Sequence, residues 1–291
     1  MRNHVQKLTA ESIVTLCILV NIGFSSNTSN TSQGPAPRAE LTLRQYAGVL
    51  KSIEVTIGRQ TIPFILDTGG GISIITPEVA RDIGCVPFGR LTAFRHNGER
   101  VDVQRCEKVT LGIGSTSVNA DTGVFDLMAV LRKSGDLPVV GGLISLDVFE
   151  KTPVTFDYAN NKLIIESPAS LKERIRGMTP LSIRLSRQAG GASVDLFVEV
   201  AAKRGTIWLE LDSGNNGPVL LSKHAAEQLG LDATQTSLPV TLDVIGLGPV
   251  KNEALVGDLI YDGLLNTRFL NDVVLTIDLA SVKAWVKSRI E

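Results

Sequence analysis

Phe64-Ile65-Leu66-Asp67-Thr68-Gly69, continued by Ile72-Ser73-Ile74-Ile75, reads as an apolar strand that runs into an acidic turn and leaves it as a second apolar strand. A glycine after the hydroxyl residue permits a tight bend that a side chain would obstruct, so the Asp67 carboxylate is presented at the turn. The pattern returns in Leu209-Glu210-Leu211-Asp212-Ser213-Gly214, followed by Val219-Leu220-Leu221. Glu54 precedes Asp67 by the same 13 residues that separate Glu199 from Asp212. Each copy is followed by a helix signal. Thr76 as cap, Pro77 at the first position and Gly84 as stop mark the first helix; Ser222 as cap and Gly230 as stop mark the second.

The ends of the two copies repeat as well. Gly142-Leu143-Ile144 leads to Thr155-Phe156-Asp157, and Gly263-Leu264-Leu265 leads to Thr276-Ile277-Asp278, with the same 15 residues from glycine to aspartate. Lys162 and Lys283 then stand five residues beyond, inside apolar runs. So many matched spacings imply duplication. The chain is predicted to hold two tandem lobes, residues 45–167 and 168–291, each made of short β-strands with one helix.

These residues resemble the active-site strand and turn of retropepsin-like and pepsin-like aspartic peptidases, and the Gly-Leu-Ile and Gly-Leu-Leu runs resemble the strand that crosses behind that turn. The resemblance covers nearly all of the chain after residue 44. It implies an all-β, bilobal acid-protease-like fold with a cleft between lobes. Asp67 and Asp212 would then be the catalytic pair, with Thr68, Gly69, Ser213 and Gly214 forming the turns around them. Two carboxylates brought that close cannot both ionise at ordinary pH and must share a proton. One can act as general base toward a water while the other polarises a peptide carbonyl. The implied substrate is a peptide or protein, the implied cofactor is none, and the implied unit is a monomer.

The halves differ between helix and crossing strand, where the first contains an additional hairpin over residues 92–104 with Asn97-Gly98 as its turn. Pepsin-like enzymes resemble this in carrying one flap, on the first lobe. Phe94, His96, Asn97 and Gly98 are therefore expected in a substrate-covering flap, the alternative being an ordinary surface hairpin. The tyrosine familiar in pepsin flaps is absent, and His96 reads as a solvated polar residue. Three positions depart from the family pattern. Glu210 stands where the first copy has Ile65, and Ser145 and Asn266 stand where many retropepsin-like sequences have glycine. A buried carboxyl needs a partner, so Glu210 either has one or points to water. These departures leave open a second reading, a peptide-binding protein of the same fold with weak or no turnover.

Charge excludes other classes. With 29 Lys plus Arg against 30 Asp plus Glu, and no basic cluster, nothing favours nucleic acid. The histidines His4, His96 and His224 are too scattered for a metal site. Residues 1–26 place Arg2 and Lys7 ahead of an apolar stretch, which reads as an export signal or an uncleaved anchor. Residues 27–44 read as a disordered tether. The expected location is periplasmic or secreted. Loss of the signal removes Cys17 and leaves Cys85 and Cys106, open to a disulfide or to two buried thiols.

Overall fold

In a strand, successive side chains take opposite faces, and this alternation sorts the residues before each aspartate. Phe64 and Leu66 of the strand Gln60–Leu66 enter the main core, whereas Ile65 joins a separate cluster with Tyr46, Met128, Val140 and Leu143. Leu209 and Leu211 of Gly205–Leu211 enter the same main core, and Glu210 takes the opposite face with Asp212. These relations come from a computed structural model, which describes residues 35–289 apart from 49, 133, 134 and 136. The expected signal segment, Cys17 and residues 27–34 of the expected tether lie outside the described residues.

The described residues are predominantly β, in sheets of eight, seven and six strands. The eight-stranded sheet belongs to the first half and the seven-stranded sheet to the second, and the strands around each aspartate pair in matching register. Gln60–Leu66 runs parallel to Gly142–Ile144 with Phe64 opposite Gly142; Gly205–Leu211 runs parallel to Gly263–Leu265 with Leu209 opposite Gly263. The strand leaving the turn then crosses antiparallel, with Ile75 opposite Gly142 and Leu221 opposite Gly263. A further pairing closes each sheet on itself, Val55 with Ile113 and Val200 with Val244.

The glycines at the crossings are required by space. A Cβ on Gly142 would lie 1.9 Å from the carbonyl oxygen of Ile74, and one on Gly263 would lie 2.1 Å from that of Leu220. No side chain fits there. The two expected helices begin and end as their signals demand: Thr76 caps Pro77–Asp82 by accepting from Val79 N, and Ser222 caps Lys223–Leu229 by accepting from Ala225 N. The expectation of one helix in each half is corrected by three further short helices, Leu127–Leu131, Pro168–Arg174 and Thr267–Asn271, none of them long enough to carry a helical period. Gly230 ends Lys223–Leu229 in the left-handed conformation.

The six-stranded sheet draws on both halves. Its order is Ala39–Thr42, Lys162–Ile165, Val154–Asp157, Val273–Asp278, Lys283–Ser288, Thr179–Leu181. At its centre Thr155 faces Thr276, the equivalent residue of the other copy, with the hydroxyl oxygens 2.8 Å apart. One continuous core runs under all three sheets, so the halves are joined and not merely tethered.

This sheet corrects the expected tether boundary. Residues 39–44 are ordered: Ala39, Leu41 and Leu43 are buried while Glu40 and Thr42 are exposed, and Ala39–Thr42 pairs antiparallel with Lys162–Ile165. The alternation is only a few residues long, too short to stand out beside the polar stretch before it. Cys85 and Cys106 are joined by a disulfide with their Cα atoms 6.2 Å apart. Among the described residues no helix is long and apolar enough to cross a membrane.

Candidate functional site

Asp67 and Asp212 leave the ends of equivalent strands and meet. A methyl group placed on Gly214 would lie 2.9 Å from Asp67 Oδ1 and 3.0 Å from Asp212 Oδ1, and one on Gly69 would lie 2.7 Å from the Asp212 carboxyl carbon. Glycine at both positions is what lets the turns approach. Gly69 N donates to Asp67 Oδ1 at 3.1 Å, while Gly214 N and Asn215 N donate to Asp212 Oδ1 at 2.7 and 3.1 Å. Backbone N–H groups thus hold one oxygen of each carboxylate.

The neighbouring hydroxyls lock the turns together. Thr68 N donates to Ser213 Oγ and Ser213 N donates to Thr68 Oγ1, both at 2.9 Å. Thr68 Oγ1 donates to Leu211 O at 2.7 Å, and Ser213 Oγ donates to Leu66 O at 3.0 Å. Both residues are fully buried, so these bonds are shielded from water.

Both carboxyls are only partly exposed, and burial raises both above the ordinary aspartate value. For Asp212, burial and then the charge of Asp67 push it up to about 8. The pair therefore binds one proton more tightly than two separate aspartates would, and titrates as a unit.

Glu210 has a partner. It is buried on the strand face that carries Asp212, and Tyr261 Oη donates to its Oε2. Burial, ahead of the nearby carboxylates, raises its proton affinity well above the ordinary glutamate value. Asp195, also buried, accepts from Ser193 Oγ at 3.1 Å and is pushed up to about 6 by burial. Sequence reading missed Tyr261 and Asp195, although the repeat contains the signal. Tyr261 stands two residues before Gly263 as Val140 does before Gly142, and Asp195 stands 17 before Asp212 as Leu50 does before Asp67. The first half fills these places with an apolar cluster of Leu50, Ile65 and Val140, and the second with Asp195, Glu210 and Tyr261.

Ser145 and Asn266 take different roles. Asn266 caps Thr267–Asn271 by accepting from Phe269 N and donates to Gly217 O at 2.8 Å. Ser145 N donates to Ser73 Oγ, which in turn donates to Asp147 Oδ1 at 2.6 Å.

The hairpin expected over residues 92–104 exists and is longer. Phe88–Phe94 pairs with Arg100–Ile113 from Phe88 opposite Arg105 to Phe94 opposite Arg100, and Gly98 turns with φ +81°. The second half has no counterpart of Phe88–Phe94 among the described residues. His96 is half-buried rather than solvated. Burial, then Arg95, lowers its proton affinity, and its backbone oxygen accepts from Ile260 N at 2.9 Å. Among the described residues no group of His, Cys, Asp and Glu is arranged to hold a metal ion. No protein-family model matches the chain, and no curated protein sequence does either.

Proposed function

We propose that the chain is an aspartic endopeptidase of the bilobal acid-protease fold, in which Asp67 and Asp212 activate one water molecule against an extended peptide. The carrying observation is the meeting of two carboxylates, one from each copy of a duplicated turn, with burial raising the proton affinity of both and the charge of Asp67 raising that of Asp212 further. In this reading the ionised carboxylate accepts a proton from water as the oxygen attacks the scissile carbonyl carbon. The protonated carboxyl gives its proton to the carbonyl oxygen, and the tetrahedral diol forms. As the C–N bond breaks, the amine nitrogen takes one proton from the pair, and a diol hydroxyl returns one to it as its oxygen becomes the product carbonyl, which restores the shared proton. The hairpin over residues 88–105 acts as the covering flap, which limits water at the cleft. The polypeptide works as an exported monomer, with residues 1–26 as its signal or anchor, and N-terminal sequencing of the exported protein tests that part.

A peptide-binding protein with weak turnover is the second reading, favoured by one observation: Glu210 puts a third carboxyl beside the pair. A quenched-peptide assay separates the two. Cleavage blocked by a pepstatin-type inhibitor and lost in Asp67→Asn is the expected result; peptide binding without cleavage by the wild type favours the second reading.

A further inference from the structure

Phe88–Phe94 is the edge strand of the eight-stranded sheet, so beyond its pairing with Arg100–Ile113 its outward backbone groups have no strand partner. Two backbone groups at its tip are nevertheless occupied, both by the second half. Phe94 N donates to the side-chain oxygen Oε1 of Gln188 at 3.1 Å, and His96 O accepts from Ile260 N at 2.9 Å. Gly98, at the turn, comes so close that a Cβ there would lie 3.3 Å from Ile260 Cγ2.

The two anchors lie on loops that flank the second aspartate. Ile260 precedes Tyr261, whose hydroxyl holds Glu210 two residues before Asp212. Gln188 belongs to the segment leading to Asp195, and its backbone N–H is held by Ser193 Oγ at 2.6 Å, the same hydroxyl that donates to Asp195. A hairpin rooted in the first half thus ends on the second, beside the residues next to the carboxylate pair. Gln188 offers an amide oxygen and Ile260 an amide N–H, the two groups that an extended peptide would present to a sheet edge.

We propose that Gln188 and Ile260 form a latch that holds the hairpin down on the free chain, and that release of this latch gates entry to the Asp67–Asp212 cleft. This rests on the peptidase reading for the cleft, but the latch itself does not. Only the unlatched fraction admits an extended ligand, so apparent affinity and association rate scale with that fraction. Losing one hydrogen bond of ordinary net strength changes such an equilibrium by about fivefold.

The test pairs amide hydrogen exchange on the full-length chain with stopped-flow association of a pepstatin-type inhibitor. Gln188→Ala removes the acceptor, while Gln188→Glu keeps an acceptor oxygen at the same reach. In Gln188→Ala the amides of Phe94 and Ile260 are expected to exchange faster together, by about fivefold, and the inhibitor to associate faster by a similar factor. Gln188→Glu should behave as wild type in both. Faster exchange at Phe94 with Ile260 unchanged would overturn the latch, since the two anchors would not then act as one. Joint loosening without faster association would overturn the gating. If no variant binds the inhibitor or cleaves peptide, the peptidase reading fails, and coupled exchange of the two amides still decides the latch.

Discussion

Thr68 and Ser213 exchange backbone-to-hydroxyl hydrogen bonds at 2.9 Å in both directions, and each hydroxyl donates onward to a carbonyl of the opposite half, Leu211 and Leu66. Each side chain therefore serves one donor and one acceptor that no solvent can reach. Thr68→Val keeps the shape but leaves Ser213 N–H and Leu211 C=O without partners. The expected cost is about 2 kcal/mol or more in denaturant unfolding. Turnover should fall by roughly tenfold or more, because the turn that aims Asp67 is loosened.

Asp67→Asn and Asp212→Asn each remove one titrating carboxyl from the pair. On the peptidase reading proposed above, neither variant retains both a base and an acid, so each should lose about 10²–10⁴-fold in turnover while still binding an extended peptide. The wild type should show a bell-shaped pH profile whose limbs belong to the pair. Retained activity in Asp212→Asn, with specific activity rising with concentration, would instead point to a dimer built from first halves.

Stability should fall as pH rises from mildly acidic values. Burial pushes Asp147 and Asp195 up to about 6, and burial plus the charge of Asp67 push Asp212 up to about 8, from an ordinary 3.8. Between the ordinary and raised values the folded chain holds protons that the unfolded chain has released. Raising pH therefore favours unfolding across that window. Denaturant midpoints should be highest near pH 4, decline toward pH 6 and decline further toward pH 8. A midpoint that rose over this range would contradict these assignments.

Tyr261 supplies the hydrogen bond that satisfies buried Glu210. Tyr261→Phe should cost about 1–3 kcal/mol, since it leaves a buried carboxyl without its donor. Adding Glu210→Ile, the residue of the equivalent position in the first half, should recover part of that loss. A double-mutant cycle on thermal unfolding measures the coupling.

Cys85 and Cys106 tie the end of the first helix to the strand that leaves the hairpin, across a sequence separation of 21. Replacing both with Ser should cost about 3 kcal/mol. Thiol titration of the denatured, unreduced protein should find neither Cys85 nor Cys106 free.

The duplicated spacings around Asp67 and Asp212, the helix caps and the Asn97-Gly98 turn were legible in sequence because each is local. A cap, a glycine turn or a period-two run is set by a few adjacent residues and needs nothing distant. The halves' matching registers follow from repeated local patterns of the same kind. The strand Ala39–Thr42 was not legible, because so short an alternation acquires meaning only when Lys162–Ile165 lies beside it. The facing of Thr155 and Thr276, the partner of Glu210, and the contacts of Phe94 and His96 with Gln188 and Ile260 were decided by tertiary structure alone. Each joins residues far apart in sequence, and the energies that matter there, burial of a carboxyl and satisfaction of an outward backbone group, depend on what packs across the gap and not on which residues are neighbours in the chain.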